Sequence, residues 1–236
     1  MLAVDENRGR NIGELLGLEH RRDFRDAVEG RCALRDVLVS APHGVRVIAA
    51  ADAARKLSHG DRRLNERALE SFLHLDETAD VVLLDARNDA DDPSSFASAA
   101  RDVVVVVSTA SSSITGGYAL VKRMTRRRDI KRFHLLVNRA ESDRVAKQVQ
   151  ANIATAASQH LGIDFEYVGA VPHDPELGAC ARISARDNRA ASAMTTARFH
   201  AHAAAISHAA ASQKYSTRLD NFLQRAIYGN AVGAGV

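Results

Sequence analysis

Short apolar runs rich in valine alternate along the chain with longer stretches in which apolar residues recur every three or four positions. A run of four or five residues with many β-branched side chains and no polar face is typical of a parallel strand that is covered on both faces. Such runs lie at residues 45–49, 81–84, 103–107, 134–137 and 165–168, and a further strand ends at Val4 and Asp5. The pattern therefore predicts a sheet of short, buried strands.

The stretches between these runs have the periodicity of amphipathic helices. They cover residues 61–74, 114–127, 141–161 and 188–211, and a shorter helical patch begins near Leu15. Strands that alternate with helices are joined by right-handed crossovers, so we predict an α/β fold with a doubly wound, mostly parallel sheet. We expect residues 1–212 to form this domain. Residues 213–236 are expected to form a C-terminal tail with a short amphipathic helix.

Composition and charge narrow the class of protein. The chain has 236 residues, of which 46% are hydrophobic and 26% charged, which is enough for one sizeable α/β core. The net charge of +3 from 32 basic and 29 acidic residues is too small to indicate specific binding to nucleic acid. The N-terminal residues include Asp5, Glu6 and Arg8 where a signal peptide would be apolar, and no apolar run approaches the ~20 residues of a membrane span. We therefore expect a cytoplasmic protein.

Polar residues follow three of the predicted strands, at the edge of the sheet where ligands bind in this fold class. Asp85 ends an apolar strand in the manner of a Walker B carboxylate, which holds a magnesium-bound water. Asn138 and Arg139 follow the strand at 134–137, and an Asn amide matches the donor and acceptor edge of adenine. Pro172 and Asp174 lie in a loop that could wall a base pocket. The alternative for each is an ordinary residue of a strand-to-helix turn.

Two further segments are candidates for contacts with a partner or a membrane. A basic cluster of seven cations occupies residues 122–132, with Arg126, Arg127 and Arg128 at its centre. This cluster is either the solvated C-terminus of a helix or a docking patch for an acidic partner or anionic lipid. In the tail, apolar residues recur at helical spacing, and this face could lie on a bilayer, pack on the domain or contact a second protomer. Its apolar residues include Leu219, Phe222, Leu223 and Ile227.

Histidines at 200, 202 and 208 lie on one predicted helix. Their spacings of two and six residues place them on different faces, so a shared metal site is not expected. We interpret them as surface histidines on a solvent-exposed helix.

The order of these motifs resembles the MinD/ParA family of deviant-Walker ATPases, a P-loop NTPase-like fold. The resemblance covers residues 2–192, and within the family it is greatest to the flagellar-number regulators of the FlhG (FleN) branch. Its most distinctive segments are residues 113–115 (Ser-Ile-Thr), 118–122 (Tyr-Ala-Leu-Val-Lys) and 136–139 (Leu-Val-Asn-Arg). The resemblance implies a protein that binds ATP and Mg²⁺, dimerises around the nucleotide, and contacts the membrane and protein partners.

Carried over by position, the resemblance assigns a role to each strand-end residue. Asn138 and Arg139 match the residues at the adenine, and Pro172 with Asp174 match the loop that closes over the base. Asp85 matches the Walker B carboxylate. Two further matches fall on the turn that follows the first strand: Asp5 corresponds to the first of the family's two aspartates, and Asn7 to the second, which positions the attacking water.

Several departures from the family bear on activity. None of the five lysines follows a glycine, so the chain contains no Gly-Lys-Ser/Thr segment of a P-loop, and an amide at Asn7 cannot act as a base. A fragment of an ordinary ATPase and a degenerate paralogue both account for the missing P-loop, and Asn7 favours the second. We expect a regulatory switch in flagellar placement or number whose ATP binding and hydrolysis are impaired or depend on a missing N-terminal P-loop, with peripheral membrane contact as a further expectation. The alternative is a nucleotide-independent module that docks a partner, forms a homodimer, or binds an intact ATPase paralogue.

Overall fold

The computed structural model describes residues 1–7, 11–19, 21–57, 63–64, 66–68, 81–86, 94–125, 132–175 and 192–211. The described residues fall into two compact units, the first from Met1 to Ala99 and the second from Ala100 onward. Each unit contains its own sheet and its own hydrophobic core.

The strands and helices follow one another in the predicted alternation. The strands are β1 (Leu2–Asp5), β2 (Leu38–Ala41), β3 (Val45–Ala49), β4 (Val82–Asp85), β5 (Asp102–Val107), β6 (Arg132–Ala140) and β7 (Phe165–Pro172). The helices are α1 (Ile12–Leu16), α2 (Phe24–Val28), α3 (Ala51–Leu57), α4 (Ser95–Ala99), α5 (Ser111–Thr125), α6 (Asp143–Leu161) and α7 (Ala193–Ala211). Short 3₁₀ turns lie at Leu34–Asp36 and Pro42–Gly44.

The sheet of the first unit has the strand order β2-β3-β1-β4. β1 pairs in parallel with both β3 and β4, and β2 pairs antiparallel with β3. Alternate residues of β1, Leu2 and Val4, are 2% and 4% exposed and belong to a core that includes residues of α2, α3 and α4. The apolar side chains on this face of the sheet are therefore covered by helices. The predicted cover of both faces is not met in β4, where Leu83 is 50% exposed.

The sheet of the second unit has the order β5-β6-β7, with both pairings parallel. One face carries Val105, Val107 and Leu135, which are each 1% exposed or less and pack with residues of α5 and α6. In α6 the predicted apolar face is confirmed, because Val149 and Ile153 are buried in this core. Apolar residues four positions apart lie on one side of a helix, and this spacing directs α6 onto the sheet.

A ladder of polar side chains crosses the other face of the second sheet. Arg132 pairs with Asp102 at 2.7 Å, and Asp102 Oδ1 lies 3.1 Å from Nε2 of His134. The second ring nitrogen of His134, Nδ1, lies 3.2 Å from Oε2 of Glu166. His134 is only 2% exposed, so its ring is held between carboxylates from both neighbouring strands. This ladder joins β5, β6 and β7 near the start of each strand and away from the candidate site.

The predicted α/β class with mostly parallel strands is confirmed, and each predicted strand is present within a few residues of its expected bounds. None of the helices within the described residues could span a lipid bilayer. The prediction for residues 61–74 falls largely outside the described residues. Helix α7 begins at Ala193, and residues 188–191 of the predicted helix lie outside the described residues.

Candidate functional site

Asp5 organises the turn that follows β1. It is the last residue of the strand, and its side chain is 3% exposed. Its Oδ1 accepts a hydrogen bond of 3.0 Å from the backbone amide of Asn7, and its Oδ2 accepts one of 2.5 Å from the amide of Ile12 at the start of α1. Both carboxylate oxygens therefore receive backbone donors, which fixes the path from β1 into α1.

Asn7 ties the ends of two adjacent strands together. Its Nδ2 donates a hydrogen bond of 3.2 Å to the carbonyl oxygen of Asp85 at the end of β4, and it lies 3.4 Å from Oδ1 of Asp5. Asp5 and Asp85 are register partners in the parallel pairing of β1 with β4. An aspartate at position 7 could not donate these bonds, so the amide has a structural role at this rim.

Glu6 lies between Asp5 and Asn7 in the sequence. It is fully buried, with 0% of its surface exposed. Its Oε1 accepts a hydrogen bond of 2.6 Å from the hydroxyl of Ser94. The same hydroxyl oxygen accepts a bond of 3.0 Å from the backbone amide of Ala97 in the first turn of α4. Glu6 thus connects the end of β1 to the start of α4, because a buried carboxyl group needs hydrogen-bond partners.

The Asp85 side chain is exposed at the rim of the sheet. Loss of hydration around part of the carboxyl group, and to a smaller extent the negative charge of Asp5, raise the pKa of Asp85, and a hydrogen bond from Asn7 opposes the rise. The charge of Asp5 beside Asp85 gives this rim an excess negative potential. Such a rim favours a cation or hydrogen-bond donors.

Asn138 and Arg139 lie in an irregular segment near the end of β6. The pairing with β7 shifts between Val137 and Ala140, so these two residues are displaced from the regular ladder. Arg139 has a φ of 56°, in the left-handed region, and its amide donates a 2.9 Å hydrogen bond to Oδ1 of Asn138. Strained backbone of this kind in a residue other than glycine is concentrated at functional sites.

The end of β7 is held against β6 and against α7. Pro172 is the register partner of Ala140, and the amide of His173 donates to the carbonyl of Ala140 at 3.0 Å. Oδ2 of Asp174 accepts a 2.9 Å hydrogen bond from the amide of Ser192, just before α7 begins. In this structure Asp174 therefore anchors the start of α7.

A close approach at Gly169 fixes α7 against β7. His202 of α7 donates from Nε2 to the carbonyl oxygen of Ala170 at 3.0 Å, and its ring covers Gly169, where an added Cβ would lie 2.2 Å from Cε1 of the ring. Gly169 also has a φ of 141°, which only glycine adopts readily. His202 is 7% exposed, so the expectation of a surface histidine at this position is wrong. The ring is buried because Gly169 has no side chain.

The predicted site residues form two groups. Asp5, Asn7 and Asp85 meet at the carboxyl ends of β1 and β4 in the first unit. The second group lies at the carboxyl ends of β6 and β7 in the second unit and consists of Asn138, Arg139, Pro172 and Asp174. The predicted contact residues of the basic cluster and the tail lie outside the described residues: Arg126, Arg127, Arg128, Leu219, Phe222, Leu223 and Ile227.

Sequence reasoning missed the contributions of Glu6, Ser94 and His202. Glu6 lies between two candidate positions in the sequence, and no local pattern indicates that Ser94, 88 positions away, lies beside it. For His202, a signal was available in Gly169, because a glycine inside a strand often marks a close approach of another group.

Comparisons with known proteins identify relatives of this chain. No protein-family model matches it. The chain is 33% identical to the antiactivator FleN of Pseudomonas aeruginosa over 179 residues, which make up 75% of this chain. The match spans 64% of the length of FleN.

Two solved structures share the fold at low sequence identity. A plasmid partition protein from Borrelia burgdorferi superposes with a TM-score of 0.55 at 10% identity, covering 88% of this chain and 85% of its own. A putative plasmid partition protein from the same bacterium, bound to AMPPNP, gives a TM-score of 0.56 at 9% identity with the same coverage. Together with the identity to FleN, these similarities agree with the motif order at the strand ends: the chain is a relative of FleN with a MinD/ParA-like fold.

Proposed function

We propose that this protein is a regulatory switch that acts in the control of flagellar number or placement through contacts with protein partners. The observation that carries the proposal is the 33% identity to an antiactivator, FleN, over 75% of the chain. That match spans 64% of the length of FleN, and a shared activity is therefore a proposal for this chain.

The strand-end residues of each unit, taken by themselves, are proposed as contacts for a nucleotide. Asp85, exposed at the rim beside Asp5, is suited to hold a water molecule bound to Mg²⁺, which prefers oxygen ligands. Asn138 would read the adenine, with Arg139 beside it, and the loop with Pro172 and Asp174 would close over the base. ATP with Mg²⁺ is therefore the proposed ligand.

Hydrolysis by this chain is proposed to be impaired. Asn7 occupies the position that matches the water-positioning aspartate of the family, and its amide donates to the carbonyl of Asp85. An amide has no basic oxygen that would accept a proton from water at neutral pH. A protein that binds nucleotide and hydrolyses it slowly would remain in one state of the switch.

A second function is a nucleotide-independent binding module in the cytoplasm, which would form a homodimer or bind an intact ATPase paralogue. The observation behind this alternative is Asp5, whose two carboxylate oxygens both accept hydrogen bonds from backbone amides. Peripheral contact with the membrane is proposed for the amphipathic tail and the basic cluster of residues 122–132.

Titration of the purified protein with a fluorescent ATP analogue and Mg²⁺ tests the nucleotide site. We expect saturable binding that weakens at least about tenfold in Asn138→Ala, a loss of ~1.4 kcal/mol. Asn152→Ala is the matched control, since Asn152 is an exposed residue of α6 that bonds to Gln148 of the same helix. Equal binding by the wild type and Asn138→Ala would exclude the assigned adenine contact, and no binding at all would favour the second function.

The cellular role is tested separately by deleting the gene in its host and counting flagella by electron microscopy. We expect an altered number or position of flagella, restored when the wild-type gene is returned on a plasmid. Unchanged flagella in the deletion strain would contradict the flagellar role. Restoration by Asn138→Ala as well would show that the flagellar role does not need the proposed adenine contact.

A further inference from the structure

Helix α7 lies along the end of β7 and is fixed to it at two points. The amide of Ser192, which precedes α7, donates to Oδ2 of Asp174 at 2.9 Å, and His202 donates from Nε2 to the carbonyl of Ala170 at 3.0 Å. Ten residues of helix span about 15 Å, and four extended residues span about 13 Å. Because the two spans agree, α7 runs antiparallel to the segment from Ala170 to Asp174 and follows it closely.

Between these two points, Arg198 connects α7 to the start of α6. Its Nη2 donates to both carboxylate oxygens of Asp143, at 2.9 and 3.1 Å, and Asp143 is the first residue of α6, four positions after Arg139. Thr195 is 0% exposed, and positions 192, 195, 198 and 202 share one side of a helix with about 3.6 residues per turn. One side of α7 therefore contacts the end of β7 directly and reaches the end of β6 through α6.

The direct pairing of β6 with β7 is irregular at the same level of the sheet. The register shifts between Val137 and Ala140, and Arg139 has a left-handed φ of 56°. Beyond the shift, the amide of His173 donates to the carbonyl of Ala140 at 3.0 Å. An interrupted ladder constrains the relative position of two strand ends less than continuous pairing does. The contacts of α7 therefore help to set the spacing between the predicted base contacts of β6 and those of the loop after β7.

From these contacts we infer that Arg198 is a positioning residue for the proposed adenine contacts of the second unit. It holds the start of α6, and with it the segment of Asn138 and Arg139, at a fixed distance from the loop of Pro172 and Asp174. A change at α7, away from the base, therefore alters the affinity for the nucleotide. This inference rests on the proposed function, since it concerns the base that Asn138 would contact.

Charge reversal tests the role of Arg198 in the full-length protein. Arg198→Glu places a carboxylate beside Asp143, and the fold should tolerate the change because the two side chains are 39% and 64% exposed. We expect the affinity for a fluorescent ATP analogue with Mg²⁺ to fall at least about threefold. Adding Asp143→Lys restores an ion pair of opposite polarity, so the double variant should bind more tightly than either single variant. Arg144→Glu is the matched control, because it makes the same change of charge at the next residue of α6, which is exposed.

Backbone hydrogen exchange, followed by NMR without nucleotide, tests the positioning itself. The amide of His173 bonds across the two strand ends, so Arg198→Glu should speed its exchange at least about threefold. Amides of residues 133–135, in the regular part of the β6–β7 ladder, should exchange as in the wild type. A general loss of stability would instead speed exchange at both places, which distinguishes a local change of position from partial unfolding.

Several results would overturn the role of Arg198 while leaving the nucleotide site in place. They are unchanged affinity for the analogue in Arg198→Glu, an equal loss in Arg144→Glu, no relief of the loss by Asp143→Lys, and unchanged exchange at His173. No binding of the analogue by the wild type would contradict the proposed nucleotide site itself, and the role of Arg198 with it.

Discussion

Replacing Asn7 by aspartate tests whether the amide is a structural tie at the rim. The substitution removes the donor to the Asp85 carbonyl and places a carboxylate oxygen about where Nδ2 now lies, 3.4 Å from Oδ1 of Asp5. Two unit charges at that distance repel by about 5 kcal/mol at an effective dielectric constant of about 20. Asn7 is partly exposed, so solvent screens part of this repulsion, and each lost hydrogen bond costs about 1 kcal/mol. We expect the free energy of unfolding at pH 7 to fall by about 2–4 kcal/mol.

Urea unfolding followed by circular dichroism measures this loss. Asn152→Asp is the matched control, because it adds the same charge at an exposed position of α6 and retains an acceptor for Gln148. The repulsive part of the loss should shrink as the pH falls toward 4, where the added carboxyl group becomes protonated. Equal destabilisation by the two variants at pH 7, or a loss in Asn7→Asp that does not change with pH, would refute the repulsion between positions 5 and 7.

Two further predictions concern the rim and the contact between β7 and α7. The pKa of Asp85 is raised in the folded protein, so its ionisation disfavours the folded state above the pKa of the unfolded chain. Asp85→Asn should therefore raise the urea midpoint at pH 7, and this gain should vanish as the pH falls to about 4; a lower midpoint at pH 7 would contradict it. Gly169→Ala should cost about 2–5 kcal/mol, because the new Cβ overlaps the His202 ring and the backbone is strained. Urea unfolding should show that adding His202→Ala recovers about 1–3 kcal/mol of this loss, and purely additive losses in the double variant would contradict the overlap.

The periodicity of the sequence predicts the longer elements well. The valine-rich runs coincide with β3, β4 and β5, and α6 begins at Asp143, within two residues of its expected start. In each case several apolar residues indicate the same element and the same buried environment. Propensity and burial then agree, and tertiary contacts do not change the outcome.

Several short elements were not predicted. β2 (Leu38–Ala41) is an antiparallel strand of four residues, and α2 and α3 contain five and seven. Two turns of helix are too few for a periodic pattern to stand out. The start of α2 depends on Asp23. Its carboxylate accepts hydrogen bonds from the backbone amides of Arg25 in the same helix and of Asp52 and Ala53 in α3. Burial raises the pKa of this Asp23 carboxyl. A contact across about thirty residues of sequence gives no local signal.

At the candidate site, the residues were easier to predict than the hydrogen bonds that they form. The sequence places Asp5, Asn7 and Asp85 at strand ends, since apolar runs end there. It does not reveal that Asp5 receives the amide of Ile12, because that bond depends on the geometry of the turn. For the same reason the left-handed backbone of Arg139 was not foreseen, since residues other than glycine rarely adopt it.

The polar ladder of the second sheet has a consequence for how its strands align during folding. A slip of one residue in β6 would turn His134 to the face that holds Phe133 and Leu135, both of them 2% exposed or less, and would leave Asp102 and Glu166 without the ring between them. Valines at five successive positions of β5 cannot by themselves distinguish one alignment from the next. The imidazole of His134 therefore specifies the register of β6 against its neighbouring strands, since a pairing shifted by one residue would bury a polar ring without partners.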